Sequence, residues 1–157
     1  MTASESRWER GADAVLGIAA SILLMALMLL TVVDVMGRYV LNRPLAGAFE
    51  VTELLLVVLI FAGLPLVSYA DGHVTMDFID RLLPAASRRP LERGVHVVSA
   101  TVLALLSRLV WLKADRIWAY RDATDVLRIV YGPFVYFVAI MIAVTGLIHL
   151  AKALARR

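Results

Sequence analysis

The sequence predicts an all-α integral membrane protein with four transmembrane helices plus an interfacial amphipathic helix between the second and third, forming a single membrane domain over residues 1–157. Three observations carry that prediction. Hydrophobic residues make up 61% of the chain and the mean hydropathy is +0.81, against about 45–50% apolar content in a soluble domain even with glycine counted. The apolar residues gather in long uncharged runs instead of being spread among amphipathic elements. Charged residues fall between those runs, where water or headgroups solvate them.

The first run, Ala14 to Val33, holds 20 residues. It is too long for the 7–15-residue core of a cleaved signal peptide and is expected to be a retained signal anchor. Leu54 to Ala70 supplies 17 residues and Ile129 to Ala151 supplies 23, within the roughly 17–25 that a membrane span requires. Gly94 to Leu112 gives 19 residues broken only by Arg108, about one turn from the end, where a guanidinium can snorkel to the headgroups. The four expected spans are therefore 14–33, 54–70, 94–112 and 129–151. Trp111, Trp118, Tyr120 and Tyr131 flank the last two spans, where amphipathic rings favour the interface.

With an even number of spans, both termini and the middle connection share one side. That side carries nine Lys and Arg residues against six on the other, Arg108 aside, so the positive-inside rule places both termini in the cytoplasm. The net charge of +3 is spread without a basic block or stripe, which gives no footprint for nucleic acid. With no Cys, disulfides, thiolate catalysis, iron–sulfur clusters and Cys-ligated zinc are excluded.

Two connections are more than tethers. In His73 to Leu83 the residues Val74, Phe78, Ile79, Leu82 and Leu83 share one helical face, and His73, Asp77, Asp80 and Arg81 another. This predicts a helix over 73–83 lying along the lipid surface or against a partner until Pro84 stops it. Asp34 to Glu53 contains Asn42-Arg43-Pro44 and Gly47, so its middle is a turn.

No phosphate-binding Gly-rich loop, Gly-x-Ser-x-Gly elbow or His-Glu-x-x-His pair is present, and no enzymatic activity is expected. The remaining candidates are ionisable groups near span ends. Asp34 and Arg38, four apart, share a helix face and can pair with each other, or Arg38 can reach another subunit. Glu50 and Glu53, at the mouth of the second span, can form a structural pair contacting Arg38, Arg43 or a partner. Alternatively they can meet a cation, although two carboxylates fall short of the roughly six oxygens a hard cation takes. His73 and Asp77 have i,i+4 spacing, suited to a hydrogen bond and short of a metal site without a third ligand. His96 opens the third span and His149 closes the fourth, so antiparallel packing brings them to one surface, where two imidazoles can in principle hold a haem. Ala139, Ala143 and Gly146 allow close helix approach, and Gly132-Pro133 reads as the first turn of a helix or a mild kink.

The blocks Asp34-Val-Met-Gly-Arg38-Tyr39-Val-Leu-Asn42-Arg43-Pro44, Phe49-Glu50-Val-Thr-Glu53-Leu54, Phe61-Ala-Gly-Leu-Pro65 and His73-Val-Thr-Met-Asp77 resemble, in order and spacing, the small membrane subunit (DctQ-like) of tripartite ATP-independent periplasmic (TRAP) transporters. The resemblance covers residues 30–84; beyond them it rests on span number and hydropathy. It implies a subunit without cofactor or bound metal that braces a large permease subunit in the bacterial inner membrane. In such a complex a periplasmic solute-binding protein delivers an organic anion, commonly a carboxylate, and the large subunit carries the substrate and Na⁺ sites of an ion-driven symport. By this likeness Asp34, Arg38, Tyr39, Glu50, Glu53, His73 and Asp77 are structural or partner-contact residues, with membrane lipid as the other neighbour and no substrate site in this chain. Ala48-Phe49 departs from the Trp that many relatives place before the acidic residue. Two other readings stay open: a membrane anchor or cytochrome-like subunit of a redox complex, using the three His residues, and a free-standing small membrane protein.

Overall fold

The computed structural model describes residues 7–69 and 85–154. Four helices make up almost all of it: α1 (Arg7–Val40), α2 (Ala48–Tyr69), α3 (Ala85–Tyr120) and α4 (Gly132–Leu154). Each contains a stretch long and apolar enough to cross a membrane, Gly17–Val40, Ala48–Ser68, Arg93–Tyr120 and Gly132–Leu154. Among the described residues the sole extended pairing is an isolated bridge between Ala123 and Val130. The expected interfacial helix over 73–83 lies outside the described residues, as do His73 and Asp77.

Helix ends depart from the ends of the uncharged runs for a physical reason. A charge ends the stretch that hydrocarbon tolerates but not the backbone hydrogen bonding, so α1 runs past Asp34 to Val40 and α3 extends well beyond 94–112 on both sides. At roughly 1.5 Å per residue, the 36 residues of α3 are about 54 Å long, well over the ~30 Å hydrocarbon core. The fourth helix starts at Gly132, not Ile129, because Ile129 and Val130 are used in the preceding loop. Pro133 sits in its first turn, where the missing N–H costs nothing.

The core is one helix deep. α4 packs against both α3 and α2, while α1 packs on α2. Beyond Gly132 at its start, the buried residues of α4 are Val138, Ala139, Ile142, Thr145, Gly146 and His149, which recur at helical spacing and form one stripe. In lipid there is no hydrophobic drive to bring helices together, so close contact of small residues has to do it. Ala139 and Gly146 serve this way, with Ala143 half-buried. A Cβ on Gly146 would lie 3.3 Å from Leu103 Cβ and 3.7 Å from the Ala100 carbonyl oxygen. Ser107 adds a hydrogen bond from its Oγ to the Ala139 carbonyl, 2.9 Å, across the α3–α4 seam.

Candidate functional site

The helix order brings two connections, 41–47 and 121–131, to the same end of the bundle. The sequence explains how the first one turns. Asn42 takes left-handed backbone, φ 51°, which Asn tolerates better than most residues. The chain then doubles back so that the Arg43 N–H bonds to the Gly37 carbonyl, 2.9 Å. Any side chain at 37 would collide with it: a Cβ there would be 2.8 Å from the Arg43 carbonyl oxygen.

Asp34 holds this turn down. Its Oδ2 receives Arg38 Nη2 at 3.0 Å, forming the i,i+4 pair, and its Oδ1 receives the Leu45 N–H at 3.0 Å. The carboxylate therefore ties helix to loop as well as helix to itself. Arg38 is directed along its own helix, and Tyr39 beyond it is exposed.

Connection 121–131 is a built loop, which the sequence reading missed. At the end of α3 the Asp122 N–H reaches the Ile117 carbonyl and the Arg121 N–H reaches the Trp118 carbonyl, with Arg121 in left-handed backbone, φ 53°. This is the Schellman ending, here with Arg where Gly is usual. The Thr124 N–H donates to the Ile129 carbonyl and the Ile129 N–H donates to Thr124 Oγ1, both at 3.0 Å. Thr124 is almost fully buried, and such a hydroxyl is satisfied inside or not at all.

Glu50 joins the two connections. The Val126 N–H donates to Oε1 at 2.7 Å and the Leu127 N–H to Oε2 at 2.9 Å, distances typical of charge-assisted bonds. Glu50 thus caps a pair of adjacent backbone donors 76 and 77 residues away. The expected contact of the Glu50–Glu53 pair with Arg38 or Arg43 is not made: among the described residues the one ion pair is Arg38–Asp34. Main-chain amides win Glu50 because loop 121–131 lies directly over the start of α2, with the Leu127 side chain seated on Gly47. Glu53, one turn further, is exposed and makes no hydrogen bond among the described residues. Tyr131, in the connection, has its phenol pushed above the ordinary tyrosine range, first by desolvation and then by the negative charges of Glu53, Glu50 and Asp125.

On α3 and α4, just inside this end, Tyr136 donates its hydroxyl to Asp115 and stands edge-on to Trp111. At the opposite end His96 and His149 meet as antiparallel packing predicts, with 3.1 Å between their Nδ1 atoms and ring centroids 5.4 Å apart. In this arrangement each ring turns its Nδ1 to the other, within hydrogen-bonding distance. Lys152 Nζ donates to the Ser68 carbonyl at 2.7 Å, fixing the far ends of α2 and α4. Among the described residues no group of three or more His, Asp or Glu is placed to hold a metal ion.

Among the described residues the polar contacts are mainly fastenings between helices and loops. Comparison with known proteins identifies the family. The family model described as "Tripartite ATP-independent periplasmic transporters, DctQ component" matches residues 27–157. The ectoine TRAP transporter small permease protein TeaB of Halomonas elongata is 32% identical over 89 residues. That likeness covers 57% of this chain and 45% of TeaB, just under half of the relative's length.

Proposed function

Since this chain belongs to the DctQ component family of tripartite ATP-independent periplasmic transporters, we propose that it is the small permease subunit of such a transporter, bracing a large permease subunit. The observation that carries the proposal is the family match over residues 27–157. Two features of the structure support it. Secondary transporters use broken helices and polar sites near the membrane midplane, whereas most hydrogen-bonded side chains described here bond back within a helix, as Thr31, Thr101 and Thr145 do, pin one helix to the next, as Ser107 does, or fasten helix ends. Among the described residues, many of the exposed side chains of α1, α2 and α3 are large and aliphatic, as lipid or a partner's helices require.

In this reading the complex takes up an organic solute bearing a carboxylate, delivered by a periplasmic solute-binding protein and driven by an ion gradient across the bacterial inner membrane. The termini face the cytoplasm. Substrate and coupling-ion sites belong to the large subunit, and no catalytic step to this chain. Asp34 and Glu50 contribute by holding the connection end rigid, and His73 and Asp77 by contacts of the segment between α2 and α3. TeaB is named for an ectoine transporter, so ectoine stands beside the carboxylates as a candidate solute.

The test is affinity purification of the tagged chain from its native membranes in mild detergent, with partners identified by mass spectrometry. A stoichiometric partner with many more membrane spans is the expected result. Labelled dicarboxylates, sugar acids and ectoine are then compared for uptake by cells with and without this chain. Recovery of the chain alone, or with a haem- or flavin-bearing protein, overturns the proposal.

A further inference from the structure

Among the described residues, His96 and His149 are the one pair of facing side chains that both change charge near neutral pH. Their Nδ1 atoms are 3.1 Å apart and their ring centroids 5.4 Å apart. The centroid separation exceeds the nitrogen separation by the two ring radii laid end to end. Each nitrogen therefore points along the line to the other, the straight alignment a hydrogen bond prefers.

The number of protons on these two nitrogens decides whether the bond exists. With one proton, one ring donates and the other accepts, whether the pair is neutral or carries a single positive charge. With a proton on each, both nitrogens are donors. No acceptor then lies between them, and two positive rings face each other.

The described surroundings do not offset a second charge. On α4, Lys152 stands one turn beyond His149, with its Nζ on the Ser68 carbonyl of α2 at 2.7 Å. Ser68 is the polar residue that α2 brings to this end, buried and uncharged. On α3, exposed Arg93 stands one turn before His96. Among the described side chains α1, which packs on α2, carries no charge before Asp34. Both charged neighbours are therefore cations, and His149 itself is buried.

We propose that the His96–His149 pair is a proton-operated clasp on the α3–α4 seam, closed while the facing nitrogens share one proton and open when each carries its own. The contact is present at neutral pH and above, and is lost as pH falls through the imidazole range, about 6.5 when unperturbed. The rest of the seam, Gly146 against Leu103 and Ala100 and Ser107 on Ala139, involves no titratable group, so acid frees the histidine end alone. Lys152 keeps its hold on Ser68, so α3 is the helix released. The clasp follows from this chain's own geometry. Only its compartment rests on the reading above, which turns this end to the cytoplasm.

The test uses the full chain, isotope-labelled in nitrogen, in lipid nanodiscs at about pH 8 and about pH 5, the limits between which imidazole changes charge. NMR is expected to show a nitrogen–nitrogen coupling across the hydrogen bond between the two Nδ1 atoms at the higher pH and none at the lower. The chain holds no Cys, so spin labels can be placed through single cysteines at exposed positions. One pair replaces Leu91 and Leu154, toward the histidine end of α3 and α4, and a control pair replaces Leu112 and Ile140, toward the connection end. Acid is expected to widen the first distance and leave the second unchanged, and the widening is expected to vanish when His96→Phe and His149→Phe are combined. Absence of the coupling at the higher pH overturns the inference. So does a first distance that stays fixed in acid, one that widens together with the second, or widening that persists without the two imidazoles. The coupling measurement needs no substitution, so it decides the matter even if the double variant fails to fold.

Discussion

Gly47 is the point where the two connections touch, and replacing it with alanine measures that contact. Its φ is +78°, a conformation that costs a residue with a Cβ about 1–2 kcal/mol. A Cβ there would also lie 2.7 Å from Leu127 Cδ1 and 2.9 Å from Cδ2. Overpacking of this kind costs about 1–3 kcal/mol in a closed core, but Leu127 is 41% exposed and can swing toward solvent, so the lower end applies. Gly47→Ala should therefore destabilise the bundle by about 2–3 kcal/mol. The two contributions separate in a double-mutant cycle: in a Leu127→Ala background the overlap is gone, and Gly47→Ala should cost only the backbone share, about 1–2 kcal/mol. The assay is reversible unfolding in mixed micelles with rising dodecyl sulfate, followed by the fluorescence of Trp111 and Trp118, which stand near this end. An equal cost in both backgrounds refutes the contact between Gly47 and Leu127, and with it the closure of loop 121–131 over the start of α2.

The other fastenings give distinct signatures. Glu50→Ala should accelerate amide exchange at both Val126 and Leu127, whereas Glu50→Gln, keeping one acceptor oxygen, should accelerate it at one and spare the other; unchanged exchange in Glu50→Ala means the carboxylate does not hold the loop. Asp34→Asn retains an acceptor for the Leu45 amide while losing the Arg38 charge pair, so exchange at Leu45 should stay slow in Asp34→Asn and rise in Asp34→Ala, and identical behaviour argues against that bond. Ser107→Ala removes the hydrogen bond to the Ala139 carbonyl and should cost about 0.6 kcal/mol, the average for such bonds in membranes; in the same unfolding assay, a loss well above ~2 kcal/mol would show that Ser107 does more than donate one bond.

The helices were legible because hydropathy is a local property: a run of apolar residues long enough to cross the bilayer declares itself without knowledge of its neighbours. The His96–His149 meeting was legible for a related reason, since antiparallel succession of spans fixes which ends face each other. Loop 121–131 was not legible. Its structure depends on Glu50 reaching amides 76 and 77 residues away, and amides at Val126 and Leu127 are the same chemical group as amides anywhere. Its turns add to the difficulty, for Arg121 and Arg128 adopt left-handed backbone, φ 53° and 55°, where sequence signals point to Gly or Asn. Glu50 and Glu53 looked equivalent as a pair three residues apart. Only the placement of the loop separates them, spending one carboxylate inside the chain and leaving the other outward.

The distribution of fastenings bears on how a small bundle can act as a brace. α4 packs on both α3 and α2, so its two seams decide whether these three helices move as one body. The α3 seam is pinned by Gly146 against Leu103 and Ala100, by Ser107 on Ala139, and by His96 on His149. The α2 seam is pinned near the far end by Lys152 on Ser68, and at the connection end by Glu50 through the loop that leads into α4. Each seam is thus held at separated heights, and two separated points resist rocking where one would act as a hinge. If the bundle braces a moving partner, loss of the Glu50 bonds should convert the α2–α4 seam to a hinge at Lys152. Glu50→Ala would then reduce transport more than it reduces assembly. Equal loss of transport and of assembly in Glu50→Ala would contradict a hinge at that seam.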